Sequence, residues 1–144
     1  MSENKAFKFE LEIYYEDTDC GGVVYYANYL RFFERARTHL LKSMGFDPAR
    51  LAREGVVFAV TRAEVDYKSP AVYGDRLVIE TGIENVRSVR LFFTYKVITA
   101  EDGRLIATGR TDMACVNGKM RPQRIPKEIL EKINEQTRTE SEPE

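Results

Sequence analysis

The apolar residues of this chain change their period twice, and that order leaves few folds open. Phe7, Phe9, Leu11 and Ile13 alternate with Lys8, Glu10 and Glu12, the period-two signature of a strand with one buried face. From about Asn28 the spacing lengthens. Tyr29, Phe33, Ala36, Leu40 and Met44 recur every three or four residues and share one helical face, while Arg31, Glu34, Arg35, Thr38 and Lys42 fill the other. Gly45 stops this helix, and Asp47-Pro48 opens a short second one through Leu51. The strand period then returns in four runs, Val56 to Lys68, Leu77 to Val86, Val89 to Thr99 and Leu105 to Val116. Asp102-Gly103 is a hairpin signal, and Asn117-Gly118 is a second one that leads into an expected short strand around Met120. Pro126 begins a final helix expected to end near Asn134.

One strand, one long amphipathic helix and an antiparallel meander make an α+β chain, with the helix packed on one face of the sheet. The other face and the edges need cover, so an oligomer is expected. The 144 residues suit one domain, placed at residues 1–136, with residues 137–144 as a disordered tail lacking apolar side chains. A net charge of −1 gives no electrostatic case for nucleic-acid or membrane binding. There is no long apolar run and no basic-then-apolar leader, so neither a membrane span nor a signal peptide is expected. Cys20 and Cys115 are too few for a disulfide framework and read as reduced thiols in a cytoplasmic protein.

Chemistry is limited first by what is scarce. His39, the only histidine, falls in mid-helix, which leaves Ser-His-Asp and Cys-His systems without a base. One histidine and two distant cysteines do not make a zinc site. Asp17 as the first position of a calcium loop places Gly22 correctly, but puts Asn28 where a bidentate glutamate is needed. No phosphate-binding glycine loop is present. What remains is the segment Glu16 to Tyr29, EDTDCGGVVYYANY, with three carboxylates, a glycine pair and a helix start. The glycines allow close backbone approach, and a helix start offers unpaired N–H groups with partial positive charge. Glu16 and Asp17 read as turn-capping carboxylates. Asp19, nearest the glycines, is the candidate nucleophile or general base, acting without metal.

The stretch Tyr14 to Arg37, YYEDTDCGGVVYYANYLRFFERAR, resembles the active-site signature of hotdog-fold acyl-CoA thioesterases. It is similar to the 4-hydroxybenzoyl-CoA thioesterase superfamily, and nearest to the bacterial Tol–Pal-associated subfamily. The resemblance extends to about Ile129 and includes SPAVYGDRL, Ser69 to Leu77. It implies a sheet wrapped around a central helix, hydrolysis of an acyl-CoA to a free acid and coenzyme A, no cofactor beyond the coenzyme A of the substrate, and no metal. It implies catalytic roles for Asp19 and Tyr26, the latter standing where the nearest subfamily usually has histidine. It implies substrate contacts at Gly22, Val23, Tyr29, Phe58, Ala59 and Val60, with carbonyl-polarising N–H groups in Val57 to Val60. Coenzyme A contacts are implied at Arg87, Ser88, Arg90 and Arg121. A homotetramer, as a dimer of dimers, and an acyl carrier protein as a further partner are also expected. The competing readings are a non-catalytic acyl-CoA or acyl carrier protein binding module of the same fold, and a sibling dehydratase, for which His39 is poorly placed.

Overall fold

The computed structural model describes residues 6–141. The chain forms β1 (Phe7–Glu12), α1 (Asn28–Ser43), α2 (Pro48–Arg53), β2 (Val57–Tyr67), β3 (Arg76–Val86), β4 (Arg90–Thr99), β5 (Leu105–Val116) and α3 (Lys127–Ser141). One turn of tighter helix, Tyr15–Asp17, lies between β1 and α1. All five strands join one antiparallel sheet in the order β1-β3-β4-β5-β2.

Each expected strand run is present. The meander, however, holds only for β3, β4 and β5. Strand β2 does not pair with β3 but crosses to the far edge, beside β5. The link between them, through Ala71, is too long for a hairpin; Ala71 is fully buried and its carbonyl accepts from Val24 N at 2.9 Å. The strand expected around Met120 is absent. Met120 has φ 62°, and the Asn117 Oδ1 atom accepts from Lys119 N (2.8 Å) and Arg121 N (3.1 Å). That side chain closes a local turn where a ladder would have formed. Helix α3 passes the expected end near Asn134 and reaches Ser141, so residues 137–141 of the expected tail are helical; residues 142–144 lie outside the described residues.

Helix α1 lies on the inner face of the sheet, mainly against β3 and β1, with α3 also on β3. Phe32 and Leu41 are buried beside the expected Tyr29, Phe33, Ala36, Leu40 and Met44. The apolar stripe is therefore wider than one row, as a helix wrapped by a sheet requires. Phe33 stacks on Tyr95 with centroids 4.1 Å apart and planes 5° apart. Gly109 makes room for that ring, since a Cβ there would stand 2.3 Å from Phe33 Cε2. The Tyr95 hydroxyl shares a 2.6 Å hydrogen bond with buried Thr111 and accepts from Arg37 Nη1 at 3.4 Å.

The outer face supplies its own cover. Arg110 reaches Glu84 (2.9 Å) and Asp112 (2.8 Å) with its guanidinium 5.1 Å from the Phe92 ring centroid, and Glu80 pairs in register with Lys96. The edge is another matter. Strand β2 runs 11 residues along one side of the sheet, with Val60 and Tyr67 about half exposed.

Candidate active site

After β1 the chain folds into two nested turns. Tyr14 N donates to Asp17 Oδ2 at 2.8 Å, and the Asp17 carbonyl accepts from Tyr25 N and Asn28 Nδ2, both at 2.9 Å. Asp17 is thus committed to shaping the turn, as expected of a capping carboxylate; Glu16 is exposed. The second turn is closed by an antiparallel bridge between Thr18 and Val24. Within it Asp19 N donates to the Val23 carbonyl (2.9 Å) and Gly22 N to the Asp19 carbonyl (3.0 Å). Gly22 sits at φ 84°, a conformation that favours glycine. Gly21 N donates to Asp19 Oδ1 at 2.8 Å. Asp19 is exposed, and its Oδ2 has no hydrogen-bond partner among the described residues, so one carboxylate oxygen is fixed and the other presented to solvent.

The start of α1 differs from expectation in one respect. The N–H groups of Asn28, Tyr29 and Leu30 donate to the carbonyls of Tyr25, Tyr26 and Ala27 at 2.9, 3.4 and 3.2 Å. They are therefore occupied by the entry turn, and carbonyl-polarising donors must come from elsewhere.

Aromatic rings surround this turn. Tyr26 is 61% exposed and lies 4.9 Å from Tyr25 and 6.3 Å from Tyr67, centroid to centroid. The Tyr67 hydroxyl donates to the Tyr26 carbonyl at 3.1 Å, tying the last residue of β2 to the entry of α1. Hydrogen bonding with the Tyr26 side chain, followed by the Tyr26 charge, holds the Tyr25 hydroxyl above the usual phenol range, with burial and Asp19 adding to it. Tyr29 is 3% exposed, its ring packed on Phe32 and Tyr67; burial, then Tyr67, pushes its hydroxyl up to about 12. Tyr29 therefore belongs to the floor beneath the turn, whereas Gly22 and Val23 lie in the turn itself.

The remaining candidates gather elsewhere. Phe58, Ala59 and Val60 pair with Cys115, Ala114 and Met113. Arg87 and Arg90 flank the β3–β4 turn, where Arg87 N donates to the Arg90 carbonyl at 2.8 Å. Ile125 N donates to the Ser88 carbonyl at 2.8 Å, joining that turn to the loop carrying Arg121. Among the described residues none of Arg87, Arg90 and Arg121 is ion-paired with a carboxylate. A cavity of about 140 Å³ opens at this end, lined by Phe58, Val57, Phe93 and Met113 with Glu34 and Arg37 from α1.

The structure therefore divides the candidates into two groups. Asp19, Gly22, Val23, Tyr26 and Tyr29 cluster beside Tyr67, at the end of β2; Phe58, Ala59, Val60, Arg87, Ser88, Arg90 and Arg121 cluster at its beginning. The seven steps from Val60 to Tyr67 span about 23 Å at ~3.3 Å each. One protomer does not bring the two groups together. Tyr67 and Arg104, which bear on the first group, escaped the sequence reading. Tyr67 looked like an ordinary strand residue, and no local pattern marks a contact 41 positions away in sequence. Among the described residues no three histidine, cysteine, aspartate or glutamate side chains cluster as a metal site, and no helix is long and apolar enough to cross a membrane.

Residues 14–133 match the family model described as the thioesterase-like superfamily. The chain is 41% identical over 125 residues to the acyl-CoA thioester hydrolase YbgC of Escherichia coli O6:H1, covering 86% of this chain and 92% of that protein. It is 38% identical over 128 residues to the acyl-CoA thioesterase YbgC of Haemophilus influenzae, covering 88% and 93% respectively. The crystal structure of a DHNA-CoA thioesterase from Staphylococcus aureus superposes with a TM-score of 0.85 at 28% identity, covering 92% of this chain and 93% of that one. With its five-stranded antiparallel sheet around α1, its carboxylate turn before that helix and a family match across most of its length, the chain belongs to the thioesterase-like superfamily, has the hotdog fold and is a thioester hydrolase.

Proposed function

We propose that the chain hydrolyses acyl-CoA thioesters with Asp19 as the reacting carboxylate, at a site completed by two copies. The observation that carries this reading is the turn itself: Asp19 is held by backbone on one side, with Oδ2 presented outward. Asp19 attacks the thioester carbonyl or takes a proton from the attacking water, and the products are a free acid and coenzyme A. Tyr26 borders the reacting groups in the place the resemblance assigns to a polar ring. The names of the YbgC relatives support acyl-CoA as the substrate and are consistent with the Tol–Pal-associated branch of the superfamily.

Two copies are needed because the half-sites lie at opposite ends of β2. An isologous antiparallel pairing of the two β2 edges sets the Asp19 turn of one copy against the Val57–Val60 end of the other. Alternate N–H groups on that edge point away from β5, and those at the Val57–Val60 end that the partner strand leaves unpaired supply the carbonyl-polarising donors, each worth roughly 3–4 kcal/mol in the transition state. Arg87, Ser88, Arg90 and Arg121 at the same end receive the coenzyme A phosphates. A dimer is the unit that the edge calls for; two such dimers form the tetramer that the resemblance implies. The thiols of Cys20 and Cys115, both free, suit a reducing, cytoplasmic setting.

The test is thiol release from short, long and aromatic acyl-CoAs and from acyl carrier protein thioesters, with Asp19→Asn alongside. Turnover by the wild type should fall by about 10²-fold or more in the variant. Undiminished turnover by Asp19→Asn would refute the assignment, and no turnover on any thioester would favour a binding module.

A further inference from the structure

We propose that Arg104 is a positioning residue for the Asp19 turn, acting from the β4–β5 hairpin on the far side of the crossing link. The proposal rests on the reading of Asp19 as the reacting carboxylate. Arg104 Nη1 donates to Ser69 Oγ at 2.9 Å and to the Pro70 carbonyl at 3.0 Å. Its Nη2 stands 4.0 Å from Asp75 Oδ2, the same oxygen that accepts from Val72 N at 2.9 Å. One guanidinium therefore grips both ends of the segment Ser69 to Asp75. Arg104 is itself anchored: its N–H donates at 2.9 Å to Thr99 Oγ1, which in turn hydrogen-bonds Asp102.

The gripped segment is the wall against which the catalytic turn is built. Val23 bridges Val72, and Val24 N donates to the Ala71 carbonyl at 2.9 Å. Val24 and Ala71 are buried together in the core. Val23 in turn accepts from Asp19 N at 2.9 Å. From the guanidinium bond at the Pro70 carbonyl to the Asp19 amide, the path runs through Ala71, the Val23–Val24 peptide and two backbone hydrogen bonds. The turn meets no second strand on this side, so the link is its only ladder partner among the described residues. Lysine offers a single ammonium and cannot hold Ser69, Pro70 and Asp75 in one plane.

The closing experiment compares Arg104→Met and Arg104→Lys with the wild type. It measures steady-state thiol release from acyl-CoA together with amide hydrogen exchange. A misplacement of the order of 1 Å at a reacting group costs up to about 10²-fold, so Arg104→Met should lower kcat by roughly 10-fold or more, with KM kept within about twofold because the coenzyme A arginines lie at the other end of β2. Arg104→Lys should recover part of that loss. Exchange at the Val24 and Asp19 amides should accelerate by about 10-fold in Arg104→Met while that of Tyr95 in the sheet core stays unchanged. A kcat within about twofold of wild type would overturn the proposal. So would equal acceleration of every amide, with kcat following the loss of folded protein. The two readings separate cleanly: full turnover by Asp19→Asn removes the functional reading, while the exchange measurement still decides whether Arg104 holds the turn.

Discussion

Replacing Gly109 with alanine tests how α1 is seated on the sheet. The added Cβ would lie 2.3 Å from Phe33 Cε2, 2.5 Å from Phe33 Cζ and 3.0 Å from the Glu64 carbonyl oxygen. Carbon atoms in contact keep about 3.5 Å or more, so ring and strand must part by ~1.2 Å. The Phe33 ring has nowhere to go, since it is fully buried and stacked on Tyr95 at 4.1 Å. Overpacking of this kind costs about 1–3 kcal/mol. At ~2–4 °C per kcal/mol for a domain of this size, thermal unfolding followed by circular dichroism should show Tm lowered by about 2–12 °C. Phe33→Leu in the Gly109→Ala background removes the clashing ring atoms, so the double variant should be about 1–2 kcal/mol more stable than the sum of the single changes. A Gly109→Ala melting point within about 1 °C of wild type would refute the reasoning, as would costs that add to within ~0.5 kcal/mol.

The raised hydroxyl of Tyr29 gives a pH dependence with a definite sign. Below pH 10 Tyr29 is protonated both folded and unfolded; between its ordinary value of 10.0 and about 12 only the unfolded chain releases the proton. Stability therefore falls with rising pH across that window, by up to about 1.4 kcal/mol per unit. Chemical denaturation at pH 9 and pH 11 should show this loss in the wild type, and a smaller one in Tyr29→Phe. Equal losses would sink the assignment. A site completed by two copies, as proposed, predicts complementation. Asp19→Asn copies and copies carrying both Arg87→Glu and Arg90→Glu should each be inactive, yet refolding them together in equal amounts should restore about a quarter of wild-type turnover, because half the dimers are mixed and each mixed dimer has one intact site. No recovery would place both half-sites within one protomer.

The strands, the long helix and the exposed carboxylate turn before it were legible because each is written locally. Period-two alternation fixes which face of β3 or β4 is apolar, and three-four spacing does the same for α1, whatever partner it later finds. Asp19 stood out because two glycines and a helix start follow it within a few positions. The residues themselves settle that much, since side-chain periodicity is geometry of the single chain. Tertiary structure decided the rest. Strand β2 reads as the next strand of a meander, but the buried Ala71 and its bond to Val24 carry the chain across to the far edge. Met120 loses its strand to the Asn117 side chain, and the N–H groups at the start of α1 are consumed by the turn that enters it. No periodicity can announce that Tyr67 holds Tyr26, that Arg104 grips Ser69, Pro70 and Asp75, or that the two groups of candidate residues stand at opposite ends of β2. Those facts are set by long-range pairing, whose partners are chosen by burial and register across the sheet, and register is a property of two segments together rather than of either sequence alone.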